Sequence, residues 1–343
     1  MISVHDLEEL EECGSASGVH EHALRRFRIA FFKKGLPLAE CLATIPEQAR
    51  EHFASQIQFH QLELAERRDS AVDGATKLLF RTADGHLVEA VILRIASGRT
   101  SLCISSQIGC GADCAFCATG RMGLTRNLNA HELLDQVVLA MRLLVAEGRR
   151  LRNVVFMGMG EPFHNEKALH AALEVLRDPR GFHLAERHLL VSTVGVTPAM
   201  VRFVEHFPDM RLALSLHSAR QEVRERIMPT AGFHALEKIQ RILPAVSASG
   251  NFMVEVLLLK GVNDGAEDLA ALIDFLRGTP AHINLIQFNP FPGAPFQPVT
   301  RAAREAFGAA LRREGFKVTL RYSLGDDIAA ACGQLAASHP AQA

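Results

Sequence analysis

From residue 101 onward the chain alternates between two hydrophobic rhythms. Short β-branched runs at 101–106, 153–157, 188–191, 211–216, 252–259 and 282–288 predict strands. Apolar positions at helical spacing fill 130–146, 167–176, 235–249 and 266–277, and 301–314 after the last strand. Such alternation predicts a parallel sheet with crossover helices. Six units are too few for an eight-strand barrel and suit a partial (βα)6-type barrel. Upstream, 76–82 and 86–95 flank Ala83, Asp84 and Gly85 and predict a β-hairpin. Residues 1–70 show helical spacing and no strong strand. The expected chain is therefore α/β: an N-terminal helical domain over 1–70, a β-hairpin extension over 71–100, a core over 101–336 and a loose tail over 337–343.

Two segments depart from plain patterning. The second hairpin strand carries Leu87, Val91, Leu93 and Ile95 on one face, and Glu89 shares that face. A carboxylate among apolar neighbours is costly to bury unless something uses it; the alternative is an edge strand with Glu89 in water. Residues 25–34 interleave Arg25, Arg26, Arg28, Lys33 and Lys34 with Phe27, Phe31 and Phe32. Such a stretch can lay an apolar face on a core and a basic face on phosphate, or serve as an ordinary solvated helix face.

Hydrophobic content of 48% and charged content of 22% exclude disordered, collagen-like and coiled-coil classes. No apolar run reaches the roughly 18 to 20 residues of a membrane span. The first residues lack the basic flank and apolar stretch of a signal peptide, so a cytoplasmic protein without membrane association is expected. Basic and acidic residues number 37 and 38, a formal charge of −1. That balance alone argues against a polyanionic partner, but a net count says nothing about placement. A second basic group stands at Arg149, Arg150 and Arg152.

Seven cysteines are an odd number, unevenly spread, in a chain too large to need disulfide staples. Cys110, Cys114 and Cys117 form a C-x3-C-x2-C triplet just after a predicted strand. Three thiolates on one tight loop can hold three irons of a [4Fe–4S] cluster and leave the fourth open. A structural zinc would need a fourth ligand. Taken alone, Cys103 reads as a buried strand thiol and Cys332 as a packed thiol in an Ala-rich helix, the ordinary fate of free cysteines, and Cys13 and Cys41 suggest no role. Gly158 and Gly160, Ser192, Ser215 and His217, and Asn289 each stand where a later strand ends, which is the ligand-binding side of such barrels. Singly, each is as well explained by turn or cap chemistry.

Together these motifs resemble the RlmN/Cfr family of radical S-adenosylmethionine (radical SAM) enzymes. The resemblance rests on the cysteine triplet with Phe116 before its last member, and on 101–110, 117–120, 127–128, 156–162 and 325–335. It spans about 76–336. Family members methylate carbon 2 or carbon 8 of an adenosine in 23S ribosomal RNA. The resemblance implies a radical SAM barrel with a [4Fe–4S] cluster on Cys110, Cys114 and Cys117. It implies S-adenosylmethionine held by Gly160, Glu161, Ser192, Ser215, Leu216, His217 and Asn289. It further implies catalysis by Cys332, Cys103 and Glu89, with two cofactor molecules per turnover. One methylates Cys332; the second yields a radical that activates that methyl. Glu89 then accepts the ring proton, and Cys103 releases the product through a transient disulfide with Cys332. Implied partners are RNA (23S rRNA first, tRNA second) and an electron donor such as flavodoxin or ferredoxin, acting on a monomer. The motifs match both branches of the family and leave the target carbon open. Competing readings are a radical enzyme of the same fold on another RNA or a small molecule, and a non-catalytic iron–sulfur RNA-binding protein.

Overall fold

The computed structural model describes residues 1–336; the expected tail at 337–343 lies outside the described residues. Ten strands form one sheet: β1 (Leu62–Asp69), β2 (Ala75–Thr82), β3 (Leu87–Arg94), β4 (Thr100–Ile104), β5 (Asn153–Phe156), β6 (Leu189–Thr193), β7 (Arg211–Ser215), β8 (Phe252–Leu258), β9 (His282–Gln287) and β10 (Lys317–Arg321). Each strand pairs only with its neighbours in this order. β1 to β4 are antiparallel, and β4 to β10 run parallel. The parallel part is the expected partial barrel of six βα units, closed at its far edge by β10, a strand the sequence pattern did not suggest.

The N-terminal part holds helices α1 (Leu7–Ala16), α2 (Glu21–Arg28), α3 (Leu38–Leu42) and α4 (Glu47–Ser55). The barrel carries α5 (Ala130–Ala146), α6 (Glu166–Arg177), α7 (Thr197–His206), α8 (Gln221–Ile227), α9 (Leu236–Ser247), α10 (Ala266–Leu276) and α11 (Arg301–Arg313). The start of α5 is fixed by a capping box between Asn129 and Glu132. No helix among the described residues is long and apolar enough to cross a membrane.

Residues 62–69, assigned above to a helical segment without strands, form β1, so the extension has three strands. The signal is hidden because β1 is an edge strand: its polar positions face water or pair as Arg68–Glu66 and Arg67–Asp69, and a bulge between Leu64 and Glu66 breaks the alternation. β3 pairs with β2 on one side and β4 on the other, so it is an interior strand. The edge reading of Glu89 falls, because its side chain is only 2% exposed.

The N-terminal helices share one core with the barrel. Phe27, Phe31 and Phe32 are buried, as their spacing suggests, and Arg25, Arg26, Lys33 and Lys34 are exposed. Arg28 does not join the basic face; it is buried and pairs with Glu11. Asp135 on α5 ties the two parts together. It is fully buried and accepts hydrogen bonds from His5 Nε2 (2.9 Å), His60 Nδ1 (3.1 Å), and the backbone N–H groups of Gln61 and Leu62.

Candidate active site

The loop after β4 is shaped by backbone geometry that few residues tolerate. Gly109 has φ +75°, and a Cβ there would lie 1.9 Å from Gly123 O. The Cys110 N–H donates to Gly123 O at 2.9 Å, and the Ala115 N–H to Ile227 O at 2.9 Å. Thr230 Oγ1 donates to Ala112 O at 3.0 Å, so the turn after α8 backs the loop. Cys110, Cys114 and Cys117 thereby line one cavity at the C-terminal ends of the parallel strands, together with Gly160, Glu161, Ser192, Ser215, His217 and Cys332. All seven cysteines are free thiols. Burial pushes Cys110 up to about 12 and Cys114 and Cys117 upward as well. These thiols therefore ionise only against added positive charge, which iron supplies.

The cavity's other wall is built from strand ends. A Cβ on Gly158 would meet Ser105 Oγ at 2.6 Å and Ile104 O at 2.7 Å, and Gly160 has φ +99°. Glu161 accepts from Val194 N–H at 2.8 Å and Phe163 N–H at 3.1 Å, while burial raises its pKa to about 7. Ser192 Oγ donates to Glu255 Oε2 at 3.0 Å and lies 3.1 Å from Ser215 Oγ. His217 Nδ1 accepts from the Leu257 N–H at 3.2 Å. Burial and the nearby Arg224 charge push its pKa down to about 3, so the imidazole is neutral. Two expected contacts sit differently. The Leu216 side chain is fully buried and lines no part of the cavity. Asn289 also stands off the cavity, its Nδ2 donating to Cys332 O at 3.0 Å.

A second cavity holds Cys103 and Cys332, with Val91, Leu93, Ala331 and Arg321. Cys117, Thr119, Met157, Gly158 and Gly333 line both cavities, which therefore adjoin. Cys332 is exposed and lies in a loop rather than a helix. That loop is pinned to the cysteine loop by Ala118 N–H to Gly333 O at 2.7 Å and Thr119 Oγ1 to Leu335 O at 2.6 Å. Burial and the Cys332 sulfur push the Cys103 thiol up to about 12, and the Arg321 charge opposes them. Glu89 lines neither of these two cavities. It pairs with Lys77 Nζ at 3.1 Å and accepts from the Ala336 N–H at 2.9 Å, which sets it beneath the segment that carries Cys332.

Residues 104–276 match the Radical SAM superfamily. A probable RNA methyltransferase of Rhodopirellula baltica is 50% identical over 285 residues, covering 82% of this chain and 75% of that protein. A probable dual-specificity RNA methyltransferase RlmN of Thermus thermophilus is 38% identical over 320 residues, 92% of this chain and 90% of that one. The chain belongs to the RlmN family of radical SAM RNA methyltransferases. The crystal structure of a radical SAM methyltransferase from Sphaerobacter thermophilus superimposes on it with a TM-score of 0.92 at 35% identity, covering 98% of this chain and all (100%) of that one. This RlmN-family enzyme methylates RNA and uses a [4Fe–4S] cluster with S-adenosylmethionine. The residues present fit both groups. Among the described residues no group of three or more His, Cys, Asp or Glu is spaced for a single metal ion. Cys110, Cys114 and Cys117 instead bring three thiols to one cavity, which suits a four-iron cube ligated at separate corners with one iron left open.

Sequence reasoning missed two residues of this RlmN-family site. Glu255 is 2% exposed, lines the cofactor cavity, and leaves Oε1 without a hydrogen-bond partner. Its signal was present: a lone carboxylate in the apolar run of β8, the same irregularity that singled out Glu89. Arg321 ends β10, with Nη1 3.8 Å from Glu255 Oε1 and its charge reaching Cys332 and Cys103. Nothing local in the sequence marks it, because its partners are distant in the chain.

Proposed function

We propose that this enzyme methylates carbon 2 or carbon 8 of an adenosine in 23S rRNA, or in tRNA, through a methyl group carried on Cys332. One observation carries this reading: Cys332 and Cys103 line one cavity that adjoins the cysteine triplet. A mere cofactor-cleaving enzyme has no need of two further thiols there. Adenine carbons are poor nucleophiles, so direct polar transfer from a sulfonium does not serve them. The bound cluster and cofactor supply a methyl donor and, on one-electron reduction, a carbon radical.

The chain's own residues perform the rest. Cys332, on its pinned loop, accepts the methyl group and presents it to the base. Glu89 takes the ring proton. Once the adduct has given up its unpaired electron, which the oxidised cluster would accept, Cys103 attacks the Cys332 sulfur: a Cys103–Cys332 bond forms, the bond from sulfur to the transferred carbon breaks with its electron pair on that carbon, a proton completes the methyl group, and the methylated base leaves. Reduction of that disulfide and of the cluster falls to an external donor such as flavodoxin or ferredoxin. Gly160, Glu161, Ser192, Ser215 and His217 hold the cofactor, Leu216 through its backbone and Asn289 by fixing the Cys332 loop. RNA docks on Lys33, Lys34, Arg149 and Arg150, which line one groove between the N-terminal helices and the barrel. The enzyme acts as a cytoplasmic monomer.

The test uses reconstituted protein and methyl-labelled cofactor. Label is expected in 2-methyladenosine or 8-methyladenosine when digested rRNA and tRNA are resolved by mass spectrometry. Cys332→Ala should abolish transfer; a variant that still forms product would overturn the methylcysteine route.

A further inference from the structure

Arg224 on α8 is a fully buried arginine, 0% exposed, and makes no ion pair with any carboxylate among the described residues. Its Nε donates to Leu216 O at 3.2 Å, its Nη1 to His234 O at 2.9 Å, and its Nη2 to Val194 O. Glu225, the adjacent carboxylate, is engaged by Gln221 Nε2 instead. A buried cation satisfied only by neutral carbonyls is costly unless a negative charge faces it. Burial brings its pKa down to about 10, which still leaves it charged at neutral pH.

The negative side of this arrangement is the cysteine loop. Cys110 and Cys114 pack in one buried group with Val194, Ile227 and Met228. Ile227 O holds the Ala115 N–H, and Met228 N–H is bonded to Arg224 O at 2.8 Å. The helix that carries Arg224 thus supports, through its last residue Ile227, the loop that carries Cys114. Once ionised by bound iron, the Cys114 sulfur would be the strongest favourable charge on the guanidinium, ahead of Glu225.

We propose that Arg224 is the fixed counter-charge of the iron–sulfur cluster, a positioning residue that makes the cluster easier to reduce. This rests on the cluster assignment to Cys110, Cys114 and Cys117. Three thiolates already load the site with negative charge, and one-electron reduction adds one more. A cation held in a dry site, where screening is weak, favours the reduced form. The three carbonyl bonds hold that cation still and also fix the Val194 and Leu216 peptides beside the cofactor.

The experiment is a redox titration of the reconstituted full-length protein, followed by electron paramagnetic resonance, with iron and sulfide content measured alongside. The wild-type cluster signal itself tests the cluster assignment, so its failure is distinguishable. Arg224→Gln is expected to load its cluster and titrate at a more negative potential than wild type. Arg224→Lys, which keeps the charge but loses the three-carbonyl fork, is expected to titrate close to wild type. An unshifted potential in Arg224→Gln overturns the proposal. So does a shift in Arg224→Lys as large as that in Arg224→Gln. Should Arg224→Gln fail to fold or load, Arg224→Lys decides alone: wild-type potential supports the charge role, a negative shift overturns it. If neither variant loads iron, the guanidinium builds the site rather than tuning it, and the proposal fails.

Discussion

Gly158 stands between the two cavities, and its neighbours leave no room for a side chain. Gly158→Ala must displace Ser105 or the Ile104 carbonyl, an overpacking cost of about 1–3 kcal/mol. It should weaken cofactor binding by calorimetry while leaving a folded protein by circular dichroism; unchanged affinity would refute the steric argument. Lys77 and Glu89 give a second test at this scale. With side chains 9% and 2% exposed, removing the cation in Lys77→Met leaves a buried carboxylate unpaired, at a cost of about 3–5 kcal/mol. Urea denaturation should show most of that loss restored in Lys77→Met with Glu89→Gln, and no restoration would show that the pair is not coupled. Glu89 and Glu255 were both legible as irregularities, one carboxylate in an apolar strand each. What they face was not, because Lys77 and Ala336, Ser192 and Arg321 reach them only through the fold.

Among the elements, those with strong periodicity were legible almost to the residue: α5 runs Ala130–Ala146 as its apolar spacing and capping box require. β1 was illegible because an edge strand needs little apolar surface and this one spends its polar positions on ion pairs. The same junction, where β1 begins, is latched by Asp135. His5 is held neutral by burial, donating Nε2–H to Asp135 while Nδ1 has no partner. Its pKa is lowered on folding, so the unfolded chain binds the extra proton first and stability falls as pH drops below about 6.5. Burial opposes ionisation of the Asp135 carboxyl, but the hydrogen bonds from His5 and His60 outweigh it and hold the group low, so its contribution is lost further into acid. Both signs agree: acid loosens the docking of the N-terminal helices. Hydrogen exchange should show α1 to α4 losing protection between about pH 7 and 5, around the ordinary histidine range, before the barrel does. His5→Phe should flatten that dependence near pH ~6; uniform loss across the chain would refute a local latch.

For the molecule as a whole, the near-zero net charge concealed a segregation of charge that only the fold creates. Lys33 and Lys34 end the π-helical turn Ile29–Lys33 and its cap, Arg149 and Arg150 follow α5, and the two pairs are more than a hundred residues apart in sequence. The structure lines one groove with all four, over an apolar floor of Phe32, Met141 and Phe182, and none of the four has an ion-pair partner among the described residues. Cations without local acids are free to release counterions from a phosphate backbone, each neutralised phosphate adding roughly 0.7 to 0.9 to the slope of log affinity against log salt. Replacing Lys33, Lys34, Arg149 and Arg150 by alanine together should lower that slope by about 3 in filter-binding with full-length RNA substrate. Cofactor affinity should stay unchanged, because the groove is separate from both thiol-lined cavities. A slope equal to wild type would move RNA docking elsewhere on the surface without touching the chemistry assigned to Cys332. A fall in cofactor affinity would instead mean that the groove supports the barrel, and that its charge serves the fold rather than the substrate.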